Sequence, residues 1–256
     1  MNPPRFPTSL RLALVFLTGL LPILSAPAAV VINWQAPQNI TGDSNVSTLG
    51  AFISAGNAGG LATTVNGVTF AAYTFGGSNT FDAAAPSPTF GGGSANPWNG
   101  LSTNYKNLLG AGLYETTPGS TSASLTLSGL TINQTYLVQF WVDDSRDDIV
   151  NVSRWTRFLT VTGDSSTSSA LDYNVQNQLG GLGQYVTGTF IADATSVAFT
   201  FQAGNTDGSG TAAVQLNAWQ LRAIPEPSSA LLLVAGSGAC FFLRNRRRFN
   251  AGSSLA

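Results

Sequence analysis

The sequence predicts an all-β protein built as an antiparallel β-sandwich, and three observations carry that expectation. Only 9% of its residues are charged, where an ordinary soluble domain has roughly 25%. Twenty-eight glycines and many uncharged Ser, Thr, Asn and Gln residues take the place of charge, and these supply the backbone angles of tight turns. Short segments with period-two alternation recur between the turns, with no sustained helical periodicity. Helical bundles, which draw on Ala, Leu, Glu, Lys and Arg, are disfavoured by the same composition.

The strands are expected in order at VVINW (30–34), VTFAAYTF (68–75), ASLTLSGL (123–130) and TYLVQFWV (135–142). RWTRFLTVTG (154–163), QYVTGTFIAD (184–193), SVAFTFQAG (196–204) and AVQLNAWQLRAI (213–224) complete the set. In the last, Val214, Leu216, Ala218 and Gln220 alternate with Gln215, Asn217, Trp219 and Leu221, so neither face reads as the buried one. Residues 76–120 read as a long Gly- and Asn-rich loop region carrying Trp98, Tyr105 and Tyr114. Leu130 stands six residues before Tyr136 across a turn. That spacing is similar to the tyrosine corner of Greek-key sandwiches, in which the phenol bonds to backbone upstream.

The two ends differ from the middle. Arg5 and Arg11 precede an apolar run at 12–24, and Ala26 and Ala28 follow as a small-x-small exit. This is the pattern of a secretory signal peptide over 1–28, cleaved after Ala28 by signal peptidase. At the other end Pro225 and Pro227 close the last strand, since neither donates a ladder hydrogen bond. Ser228 is placed to cap a helix, and Glu226 to complement its dipole. The apolar run 229–243 has 15 residues, roughly 22 Å as a helix, short of a hydrocarbon core of roughly 30 Å. It is therefore a marginal span of the inner membrane. Arg244, Arg246, Arg247 and Arg248 would hold its far end in the cytoplasm.

Pro225-Glu226-Pro227, a short apolar helix and an arginine cluster, in that order at the end of a chain with a signal peptide, resemble the PEP-CTERM sorting signal. The resemblance spans about 225–249 and implies recognition and processing by an exosortase, a membrane protease, with export to the cell envelope or extracellular matrix. The stretch from 64 to 224 resembles bacterial jelly-roll modules of the galactose-binding or carbohydrate-binding type. The domain order expected is therefore signal peptide (1–28), β-sandwich ectodomain (29–224) and sorting signal (225–249).

Candidate chemistry is sparse. Histidine is absent and Cys240, in the terminal apolar run, is the one cysteine. That removes Ser-His and Cys-His nucleophile pairs and most zinc geometries. Residues 29–224 hold five Lys/Arg against eleven Asp/Glu, a balance of −6, which excludes electrostatic binding of nucleic acid as a default. Asp143, Asp144, Asp147 and Asp148 cluster after a strong strand. They are candidate calcium ligands, since Ca²⁺ takes six to eight oxygens, or else a solvated loop partly neutralised by Arg146, Arg154 and Arg157. Glu115 with one of these aspartates is the candidate pair for glycoside hydrolysis. Trp98, Tyr105 and Tyr114 are candidates for stacking on sugar rings, or for plugging the end of the sandwich.

Three functions follow as expectations. The first is a non-catalytic envelope or matrix protein that binds exopolysaccharide and needs no cofactor. The second is a purely structural surface protein, and the third a secreted glycan-active hydrolase.

Overall fold

A computed structural model describes residues 30–73, 80–81, 84–87, 89–115, 121–147, 154–206 and 212–225. The signal-peptide exit at Ala26 and Ala28, Asp148, Glu226, Pro227, the run 229–243 and Arg244, Arg246, Arg247 and Arg248 lie outside the described residues. Among the described residues no helix is long and apolar enough to cross a membrane.

The chain is mostly β and forms several largely antiparallel sheets. In order, the first strands are β1 (Asn33–Trp34), β2 (Gln38–Asn39), β3 (Ala51–Asn57), β4 (Thr63–Val65) and β5 (Val68–Ala72). Then come β6 (Thr80–Phe81), β7 (Ala84–Ser87), the helix α1 (Thr103–Leu109), β8 (Gly112–Glu115) and β9 (Ser122–Ser128). The long strands β10 (Thr135–Val142) and β11 (Arg157–Gly163) are followed by the short β12 (Ser166–Thr167) and β13 (Leu171–Asp172). Last are β14 (Gln184–Ile191), β15 (Ser196–Asn205), β16 (Gln215–Leu216) and β17 (Ala218–Ile224).

One sheet runs β1-β14-β10-β17-β3-β5-β4 and the second β12-β11-β15-β9-β6. A third, small sheet runs β16-β8-β7. Val138, Phe140, Val186, Trp219 and Leu221 of the first sheet share a buried cluster with Leu125, Leu127, Val161, Phe199 and Phe201 of the second. Phe140 meets Phe199 and Phe201 edge-on at 4.9 and 5.2 Å between centroids, the geometry aromatic quadrupoles favour.

The first sheet is covered on its other face too. Trp141, Ala218, Ala55 and Phe70 pack there against Trp98, Leu101, Tyr105, Leu108 and Leu109. A sheet buried on both faces needs apolar residues at successive positions. This is why β10 reads TYLVQFWV, and why seven of its eight residues are buried.

The same double burial explains the ambiguous last segment. Val214 and Leu216 belong to the inter-sheet core, and so do Trp219 and Leu221. The inward positions thus change from even to odd across Asn217, where the chain leaves β8 and joins β10 and β3. A one-residue slip reverses every side chain beyond it.

Several expectations are corrected. The segment at 51–57 forms a strand in the first sheet, although it was not expected as one. The pairing of β3 with β5 is parallel. Residues 76–120 are more than loop, since their described parts hold α1 and strands of the second and third sheets. Within β4–β5, Asn66 and Gly67 take φ of 48° and 75°, the two left-handed residues of a tight hairpin turn that Asn-Gly favours. At Tyr136 the corner forms: the Thr131 backbone N–H donates to its hydroxyl at 2.7 Å.

Candidate functional site

The end of β10 leads into a buried polar cluster. Asp143, Asp144 and Ser145 have no solvent exposure, so they are not the solvated loop that was one expectation. Asp144 is paired in bidentate fashion with Arg146, whose Nε and Nη2 donate to its two oxygens at 2.7 and 2.6 Å. The Arg146 guanidinium also lies 4.5 Å above the centre of the Phe90 ring.

Asp143 is held differently. Its Oδ1 accepts the Gly183 N–H at 2.8 Å, and Oδ2 lies 2.8 Å from the Ser145 hydroxyl. That hydroxyl also lies 2.6 Å from the Gly181 carbonyl, and one hydroxyl proton serves only one of the two. A protonated Asp143 satisfies every contact: Oδ2–H donates to Ser145 Oγ, and Ser145 donates to Gly181. Burial pushes the Asp143 carboxyl well above the usual range, more than the Gly183 and Ser145 hydrogen bonds lower it, in agreement with the proton count.

Of the candidate calcium ligands, Asp143, Asp144 and Asp147 are not brought together as a ligand set, and Asp148 lies outside the described residues. Both Asp144 oxygens are taken by Arg146, Asp143 is enclosed, and Asp147 is exposed with its carbonyl accepting from Arg154 at 2.9 Å. Among the described residues no group of three His, Cys, Asp or Glu side chains is placed to hold a metal. The aspartate cluster braces structure instead. Asn217 Oδ1 accepts the Asp143 N–H at 2.8 Å, while its Nδ2 donates to Leu109 O at 2.5 Å and Ala111 O at 3.0 Å.

Those contacts fix α1, the helix missing from the sequence expectation. Ser102 caps it, accepting the Tyr105 N–H at 3.1 Å, as Ser does at helix starts. Tyr105 is fully buried and accepts the Trp141 indole N–H at 3.1 Å. It presents no ring to solvent, so the sugar-stacking expectation fails for Tyr105 and the plugging one describes it. Trp98 is 5% exposed and half-buried Tyr114 meets Phe90 edge-on at 6.4 Å between centroids. Glu115 is buried in β8 beside Ala84.

Beside α1 lies a cleft of about 1000 Å³. One wall is the turn Ala58-Gly59-Gly60-Leu61-Ala62; the others come from Tyr73, Gly91, Trp98, Lys106, Asn107 and Gly110. Buried Asn57 holds that turn, donating from Nδ2 to Leu61 O at 2.9 Å and to Asn107 O at 3.0 Å, and accepting the Gly60 N–H at 3.1 Å. A Cβ at Gly59 would stand 2.4 Å from the Gly112 backbone, so only glycine lets the turn approach this closely. The cleft joins a loop, a helix and a strand end that lie up to 50 residues apart, and for that reason it has no sequence signature.

Fold and site together define a mostly β protein, two large sheets and one small one, with a helix-lined cleft at the flank of its first sheet. Comparisons with protein-family models and with curated proteins find no match to the chain. Among solved structures it is similar to the ANX2 ectodomain from Arabidopsis thaliana, at 14% identity and a TM-score of 0.49, covering 69% of this chain and 50% of that one. A structure of the plant peptide RALF23 in complex with FER and LLG2 matches at 12% identity and a TM-score of 0.48, covering 69% and 49%. A calcium-binding mutant of Bacteroides uniformis beta-glucuronidase 2 matches at 12% identity and a TM-score of 0.45, covering 72% and 19%. The chain thus spans about half the length of the plant chains.

Proposed function

We propose that this is an exported, non-catalytic protein of the cell envelope or extracellular matrix, delivered through its C-terminal signal and binding an exopolysaccharide. The observation that carries the proposal is the sequence Pro225-Glu226-Pro227, apolar run 229–243 and arginines 244–248. Its position supports the reading: β17 ends at Ile224 and Pro225 is exposed, so the signal directly follows the last described strand. The jelly-roll kinship of the ectodomain belongs to the same proposal.

The test is expression of the full chain with an epitope after residue 256, in a host with and without its exosortase-type protease. Loss of the epitope and release of the protein only when the protease is present support the sorting reading. Epitope-bearing protein in the same fraction in both hosts overturns it. Co-sedimentation of the released protein with the host's extracellular polysaccharide tests the binding half. Saturable binding without release of sugar supports it, and no binding leaves a purely structural surface protein.

A further inference from the structure

We infer that the cleft beside α1 is the saccharide site and that it selects a sugar bearing a carboxylate, with Lys106 as the counter-charge; this rests on the glycan-binding reading above. Lys106 is half-buried, lines the cleft and has no carboxylate partner among the described residues. Residues 29–224 carry a balance of −6, so a cation in a concave wall with no described carboxylate beside it stands out from its surroundings. A low-dielectric wall strengthens the attraction of such a charge for an anion.

Trp98 adds a second donor. The residue is 5% exposed and lines the same cleft, where its indole supplies apolar surface and an N–H group. The remaining lining combines small apolar surface with the Asn107 amide and the half-buried Tyr73 ring. A pyranose offers matching chemistry, with apolar C–H faces and hydroxyl edges, and a uronic acid adds the charge that Lys106 lacks. The site is rigid before a ligand arrives, because Asn57 ties the 58–62 turn to α1 and Asn217 ties the end of α1 to β10. Pre-ordered walls reduce the entropy cost of binding.

The experiment is calorimetry on the full chain in detergent, with trigalacturonate and neutral galactotriose as probes and the host polysaccharide as reference. The expected result is a preference of roughly tenfold or more for trigalacturonate, the scale of one charge-assisted contact. Lys106→Gln abolishes that preference without changing Tm, and Ala62→Trp, which fills the cleft from an exposed position, abolishes binding of both probes. Equal binding of the two probes, or an unchanged preference in Lys106→Gln, overturns the inference. Host polysaccharide that binds while trigalacturonate does not also overturns it but leaves the glycan-binding function standing. If nothing binds, host polysaccharide included, both fail.

Discussion

The side chain of Asn217 grips the backbone of Asp143 on both sides: its Oδ1 accepts the Asp143 N–H at 2.8 Å and its Nδ2 reaches the Asp143 carbonyl at 3.2 Å. The same amide bonds Leu109 and Ala111 at the end of α1, so one side chain joins the first sheet to the layer that walls the cleft. Asn217→Ala leaves several enclosed polar groups unpaired, each worth roughly 1–3 kcal/mol. A loss of about 3 kcal/mol in urea unfolding is expected; a change under 1 kcal/mol would show that the amide is not the joint.

Asp143 makes stability depend on pH. Its folded carboxyl titrates above the unfolded value of about 3.9, raised chiefly by burial. The folded state therefore binds the proton more tightly. Its contribution is fully present below pH about 4 and is lost as pH rises through the folded value. Asp143→Asn should flatten this decline, since an amide can donate to Ser145 Oγ and still accept from Gly183. Parallel stability–pH curves for the two proteins would refute the protonated assignment.

Arg146 and Asp144 form the opposite kind of site, a buried carboxyl group bonded at both oxygens by one guanidinium. Arg146→Met strands that carboxyl group and is expected to cost about 3–5 kcal/mol. Adding Asp144→Asn should restore part of the loss. A double variant no more stable than the single one would contradict the pairing.

Tyr136→Phe removes the acceptor of the Thr131 N–H while keeping the ring stacked on Phe190, 5.7 Å away between centroids. A loss of about 1–2 kcal/mol is expected from thermal unfolding. If the corner is dispensable, Tm stays unchanged.

Much of the fold was legible because strands announce themselves by alternation where one face is wet. In β9 and β15 the buried positions alternate without a break over 122–128 and 196–203, and both were expected close to their observed bounds. The tyrosine corner was legible too, since its spacing is local. The strand at 51–57 was missed because AFISAGN carries Gly, Ala and Ser where close packing on Trp219 leaves little room. The Asn66-Gly67 turn offered a signal that a closer reading of dipeptides would have used. Helix α1 is seven residues long and held by tertiary contacts, and helices so short are not stable by propensity alone.

The sequence by itself determined the class of the protein: mostly β, with no histidine, one cysteine, and ends unlike its middle. Those properties follow from composition and from patterns within a dozen residues. Only the tertiary structure decided that the aspartates after β10 are buried braces, that Tyr105 is enclosed, and that Lys106 and Trp98 line one cleft. Each depends on burial, and burial is set by partners far away in the chain: Asp143 by Gly183 and Asn217, Tyr105 by Trp141, and the cleft by Asn57 bonding Asn107. A side chain's charge, exposure and use are properties of those encounters.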